Sequence, residues 1–93
     1  MTEIFEPPLY FAWEPKNGLP YVKHFYVQEE ARTPSVARRS ARRLREYFRN
    51  LGATYIYMNA MCADTRIQRA IEWFFKTKPY SEAEDHKFYL VEV

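Results

Sequence analysis

The chain has 93 residues, 47% of them hydrophobic and 18% aromatic, which fits one small domain over residues 1–93 built around an aromatic core. Its net charge of +2 is too small for the whole molecule to act as a polycation. A single cysteine, Cys62, excludes an internal disulfide and a cysteine-based metal cage.

Residues 1–8 read as an extended lead-in, because Pro7-Pro8 bars helix. Residues 9–13 are rich in β-forming aromatics and predict a first strand. Asn17-Gly18 is a strong hairpin signal, and Pro20 is expected to confine pairing to the residues after it. Residues 21–28 predict the returning strand, with Tyr21, Lys23, Phe25 and Val27 on one face and Val22, His24 and Tyr26 on the other.

Thr33 followed by Pro34 predicts a helix start, and Gly52 a helix stop, so a helix is expected over 34–50. Val36 or Ala37, Ala41, Leu44, Phe48 and Leu51 form its apolar stripe. Arg38, Arg42, Arg45 and Arg49 form a ridge expected to lie away from that stripe. Seven of the 14 basic residues are arginines between Arg32 and Arg49, so the positive charge is a local patch.

Residues 53–60 are apolar nearly throughout and predict a strand covered on both faces. Asp64 or Thr65 caps a second helix that buries Ile67, Ala70, Ile71, Phe74 and Phe75 and is ended by Pro79. An acidic loop over 81–85 leads to a closing strand over 86–93, with Phe88, Leu90 and Val93 among its apolar residues. The expected fold is α/β: a small mixed sheet of about four strands with two helices, in the order β-β-α-β-α-β. The strand–helix–strand unit in its middle should cross over right-handedly into a parallel pair.

At the end of the second strand stands His-Phe-Tyr-Val-Gln-Glu-Glu-Ala-Arg, and the turn continues as Arg32-x-x-Ser35-x-Ala37. This strand-to-loop junction resembles that of the GNAT family of N-acetyltransferases, whose Arg/Gln-x-x-Gly-x-Gly/Ala loop holds the pyrophosphate of acetyl-coenzyme A. The match covers roughly residues 20–80 and makes the expected fold GNAT-like. The resemblance implies acetyl-CoA as cofactor, with Val27, Arg32, Ser35, Val36, Ala37 and Arg38 at its site. It also implies transfer of an acetyl group to an amine, with Glu29 or His24 as the base.

Three departures accompany the resemblance. Ser35 stands where the family has a glycine, and Phe75 aligns with a tyrosine that protonates the departing thiolate in many members. The family's N-terminal strand and helices, which form much of the acceptor site, have no counterpart here, so the domain is expected to be truncated.

A second reading is a non-catalytic GNAT-like module that binds a protein partner or a second copy of itself, such as a bacteriophage virion component or an inhibitor of host defence. A third, weaker reading is a nucleic-acid binder led by the arginine helix. Cys62 has no histidine at a diagnostic spacing and reads as a small hydrophobe, while Tyr80 and Tyr89 read as core or rim aromatics or as stand-in acids. No metal-ligand spacing, signal peptide or membrane-length apolar run is present, and a soluble chain in the cytoplasm, of a host cell or as part of a virion, is expected.

Overall fold

The computed structural model describes residues 1–93, the side chain of Ala31 excepted. Six strands form one sheet: β1 (Thr2–Glu6), β2 (Leu9–Lys16), β3 (Leu19–Val27), β4 (Tyr55–Met61), β5 (Pro79–Ala83) and β6 (His86–Glu92). Helix α1 (Pro34–Asn50) connects β3 to β4, and α2 (Thr65–Phe74) follows β4. The spatial order is β1-β2-β3-β4-β6-β5, with β3 and β4 parallel and every other pair antiparallel.

The α/β class is the expected one, but the sheet has six strands rather than about four. The lead-in is itself a strand, β1, which turns at Pro7-Pro8 and pairs along β2 from Thr2↔Trp13 to Glu6↔Leu9. The acidic loop is an edge strand, β5, joined to β6 by Glu84 and Asp85, both at positive φ (51° and 63°). Those angles make the mirror-image turn that matches strand twist, built here without a glycine.

The Asn17-Gly18 turn is of the expected kind, with φ of 52° and 81°. Pro20, however, does not delay pairing: β3 starts at Leu19, and Pro20 faces Pro15. A two-residue turn makes Lys16 and Leu19 the hydrogen-bonded pair. Pro15 and Pro20 therefore form the next, non-bonded pair, where the hairpin requires no N–H.

Helix α1 matches its expected span. Thr33 Oγ1 accepts from the Val36 N–H at 3.3 Å, and Gly52, at φ 88°, closes the far end. There the Gly52 N–H donates to Arg49 O at 2.9 Å and the Ala53 N–H to Phe48 O at 3.0 Å. The buried stripe is Ser40, Ala41, Leu44 and Phe48, while Leu51 at the C-cap is exposed, past the last turn that packs on the sheet.

In α2, Asp64 accepts from the Ile67 N–H at 3.1 Å. The helix ends at Phe74, before Pro79 can act as its stop: Lys76 takes the left-handed conformation, φ 51°, and Pro79 opens β5 instead.

Both helices cover the same face of the sheet. The core beneath them joins Leu9, Phe11, Val22, Val27, Ile56, Met58, Ala60, Tyr89 and Val91 of the strands to Leu44, Phe48, Ile71 and Phe75. Strand β4 alternates accordingly, burying Ile56, Met58 and Ala60 and exposing Tyr55 and Met61. It is covered on one face, not both. In β6 the core positions are Tyr89 and Val91, and Phe88 and Leu90 belong to the uncovered face. The simple alternation expected in β3 also fails. Ala12 pairs with His24 and Trp13 with Val22, so Lys23 is an extra residue, a bulge. Val22 therefore joins Phe25 and Val27 on the covered face, while Tyr21 joins His24 and Tyr26 on the other.

Candidate functional site

The bulge sits where β3 leaves β4. The parallel pair is joined only at Tyr21↔Tyr57 and Val22↔Met58. Beyond Lys23, β3 continues with β2 and β4 continues with β6, and the sheet opens between them. Along that opening the β4-facing peptide groups of β3 lack a strand partner, which leaves main-chain donors and acceptors for a ligand.

On the covered side, a cleft of about 770 Å³ runs between α1 and α2 down to the opening. Val27, Arg32, Thr33 and Ala37 form one wall, and Asp64, Arg66, Ile67, Ala70, Trp73 and Phe75 the other. A second cavity, of about 670 Å³, is lined by Tyr10, Lys23, His24, Asn59 and Met61. Phe25, Tyr26 and Ile67 line both, so the two meet between the parted strands. Beside the second cavity the Asn59 amide donates to the Tyr21 hydroxyl.

The start of α1 gives the cleft its positive end. No acidic residue stands in the first turn of the helix. Arg32 folds back so that its Nε donates to Val27 O at 2.8 Å, and its guanidinium lies 5.0 Å from the centre of the Tyr26 ring. Its terminal nitrogens remain for an anion. The helix itself offers few amides: Pro34 has none, the Val36 N–H goes to Thr33 Oγ1, and the Ala37 N–H goes to Thr33 O at 2.9 Å. Among residues 34–37 these bonds leave only Ser35 with an uncommitted N–H. The Thr33-Pro34 pair that makes the helix start legible thus thins out the donors there.

Of the expected cofactor residues, Val27, Arg32 and Ala37 line the cleft together. Ser35 and Val36 lie at the helix start outside its lining, and Arg38 lines a neighbouring groove. His24 opens on the second cavity, on the uncovered face. Glu29 lies in an exposed 3₁₀ turn, Glu29–Ala31, outside either lining. The two candidate bases are therefore not brought together.

Phe75 is buried at the cleft's inner end, edge-on to Phe25, with the Arg45 guanidinium 5.3 Å from its centre. Tyr89 is fully buried and donates to Glu72 Oε2 at 3.0 Å; burial first, then that carboxylate, pushes its pKa up. Tyr80 is exposed on the edge strand. Burial raises the Cys62 thiol, with Glu82 adding to the effect, which opposes thiolate chemistry. Among the described residues no group of three His, Cys, Asp or Glu gathers as a metal site, and no helix is long and apolar enough to cross a membrane.

The sequence reading passed over Trp73, Arg66 and Asn59. The signal for Trp73 was its place off the α2 stripe, where a tryptophan has no core to enter; it is 74% exposed. The arginine ridge also differs from expectation. It does not simply face solvent: Arg38, Arg42, Arg45 and Arg49 form one side of a groove whose other side is α2. Arg45 is half-buried there, donating through Nη2 to Phe75 O at 3.0 Å, and Arg49 Nε donates to Val93 O at 2.9 Å.

No protein-family model matches this sequence. No curated protein matches it either. Among solved structures, the fold is similar to a chain of the NatC complex, crystallised bound to Gag peptide and CoA, with a TM-score of 0.64 and 7% sequence identity. The likeness covers 91% of this chain and 59% of that one, so this chain spans less than two thirds of its neighbour's length. At that identity the likeness is one of fold, a GNAT-like α/β sheet.

Proposed function

We propose that this domain binds acetyl-CoA in the cleft between α1 and α2 and transfers the acetyl group to an amine. The observation that carries this reading is the parting of β3 and β4 directly beside the start of α1. The fold neighbour's structure, solved with CoA, adds support. Arg32 and the Ser35 amide take the pyrophosphate, and the unpaired peptide edge of β3 holds the amides of the pantetheine arm. Acetyl-CoA supplies a thioester carbonyl open to attack by an amine.

His24, lining the cavity on the far side of the opening, accepts the proton that the attacking amine loses. Glu29 serves only through water, because its turn lies outside that cavity. Phe75 has no proton to give the leaving thiolate, and the acid is solvent. The expected chemistry is therefore slow, and binding is the firmer readout.

Titration calorimetry with acetyl-CoA tests the proposal. The parent should bind, and Ala37→Trp, which fills the cleft from its half-buried place in the first turn of α1, should not. Ser35→Gly should bind at least as tightly as the parent, since a glycine lets phosphate approach the backbone more closely. At about 100 times its dissociation constant, acetyl-CoA should stabilise the fold by about 2.7 kcal/mol. Absence of both heat and thermal shift in the parent would retire the reading.

A second reading, a non-catalytic module docking a protein or a second copy, is favoured by the uncovered face, where Phe5, Tyr26, Tyr55 and Leu90 are exposed. The native mass of the particle separates monomer from assembly.

A further inference from the structure

The groove beside the proposed cofactor cleft, about 760 Å³, is unlike the rest of the surface. One wall is the arginine row of α1, at positions 38, 42, 45 and 49, which climbs about 6, 4.5 and 6 Å along the axis between successive guanidinium-bearing residues. That rise is comparable to the spacing of successive phosphates in an extended single strand. The opposite wall presents Trp73, whose indole is largely exposed, and Lys76.

Two carboxylates, Glu46 and Glu72, also line the groove, but neither forms a salt bridge with the row: Glu46 lies 3.9 Å from Arg43 instead. Among the described residues, the salt bridge of α1 to another element is made by Arg43 with Glu6, on a different side of the helix. Among the described residues, none of the four groove arginines forms a salt bridge with an Asp or Glu side chain. Glu72, across the groove, is already engaged by Tyr89 and Lys78. Arg45 Nε is buried with no hydrogen-bond partner. Burial, and then the neighbouring Arg49, lowers the pKa of Arg45, with Glu92 offsetting part of the effect.

The geometry points to this groove as a binding site for single-stranded nucleic acid, with phosphates along the arginine row and a base stacked on Trp73. Guanidinium forks suit phosphate oxygens, and a π-face beside a basic track is the pairing that non-sequence-specific single-strand binders use. An acidic protein segment is less well served. The floor offers only Ala41 and Phe74 as apolar surface, with no pocket for an anchoring side chain.

The test is titration of the full chain with oligothymidylate of about twelve nucleotides, read by tryptophan quenching and by anisotropy. Log K should fall with log salt at a slope of about −2 to −3, as expected for three or four phosphate contacts. Arg42→Glu should weaken binding about tenfold or more. Arg39→Glu, with the same change of net charge outside the groove, should weaken it much less. Trp73→Ala should remove the quenching and cost about tenfold or more in affinity. Both Arg42 and Trp73 are exposed, so these variants should fold, which circular dichroism checks. No binding by the folded parent would overturn the proposal, as would equal damage from Arg39→Glu and Arg42→Glu. Tighter binding of an oligoglutamate peptide than of the oligonucleotide would overturn it too.

Discussion

Leu44 is the residue on which the two layers meet: it is fully buried at the centre of the α1 stripe, against the strand core. Leu44→Ala should cost about 2–5 kcal/mol, enough to unfold a domain of this size, and the urea midpoint measures it. Tyr89 offers a pH test. Its folded pKa lies above the ordinary tyrosine value, so its contribution is complete below about pH 10 and declines as the pH rises beyond it. Glu72 works in the opposite direction: the Tyr89 hydroxyl first, then Lys78, holds its pKa down. That contribution is present above the ordinary carboxylate range and is lost as the pH falls through the folded value. Tyr89→Phe should therefore flatten the thermal midpoint at both extremes, and midpoints taken from acid to alkaline pH would reveal it. The importance of Tyr89 was hidden in the sequence. Phe88, Tyr89, Leu90 and Val91 are all apolar or aromatic, and such a run does not disclose which alternate pair faces the core.

At the scale of elements, legibility followed the strength of the local chemistry. Thr33-Pro34 and Gly52 bracket α1 because a cap, a proline with no donor to lose and a left-handed glycine each act within a turn. Gly52→Ala should cost about 1–2 kcal/mol, and the loss is purely conformational, since an added Cβ would meet nothing within 4 Å. Denaturant unfolding should show an unchanged slope with a lower midpoint. The strands that escaped notice did so for physical reasons. Strand β5 is an edge with its residues almost all exposed, so it carries no alternating signature, and its turn is Glu84-Asp85 rather than a glycine pair. Strand β1 likewise buries little, and Pro7-Pro8, which marks residues 1–8 as an extended lead-in, gives no sign that the chain turns a corner there and pairs back. The bulge at Lys23 left no local mark. It follows from the competition between pairing with β2 and pairing with β4, which only the assembled sheet decides. The candidate site was half legible: the helix start and Arg32 were readable, but the groove wall supplied by α2 was not.

The whole molecule is a sheet roofed on one side. With both helices above, the lower face carries its aromatics in the open, partly shielded by one another. Lys16 spreads over this face, its ammonium 4.8 Å from the Tyr21 ring centre and 5.4 Å from that of Phe88. Protection should divide accordingly. Native-state amide exchange should be slowest in β4 and β6, which pair along seven residues, and markedly faster in β3 beyond Lys23. Uniform protection across β3 would show that the opening closes in solution.

That opening also decides how the molecule can deform. Hydrogen-bonded rows make each half-sheet, β1-β2-β3 and β4-β6-β5, a stiff plate. The plates are riveted at two residue pairs near one end, like the blades of a pair of tongs. The gap between their free ends is set from above, where Arg45 on α1 grips the carbonyl of Phe75 and the Phe75 ring meets Phe25 of β3. A load placed between the helices would thus be felt as a change of aperture on the far face of the sheet, some distance from where it is applied.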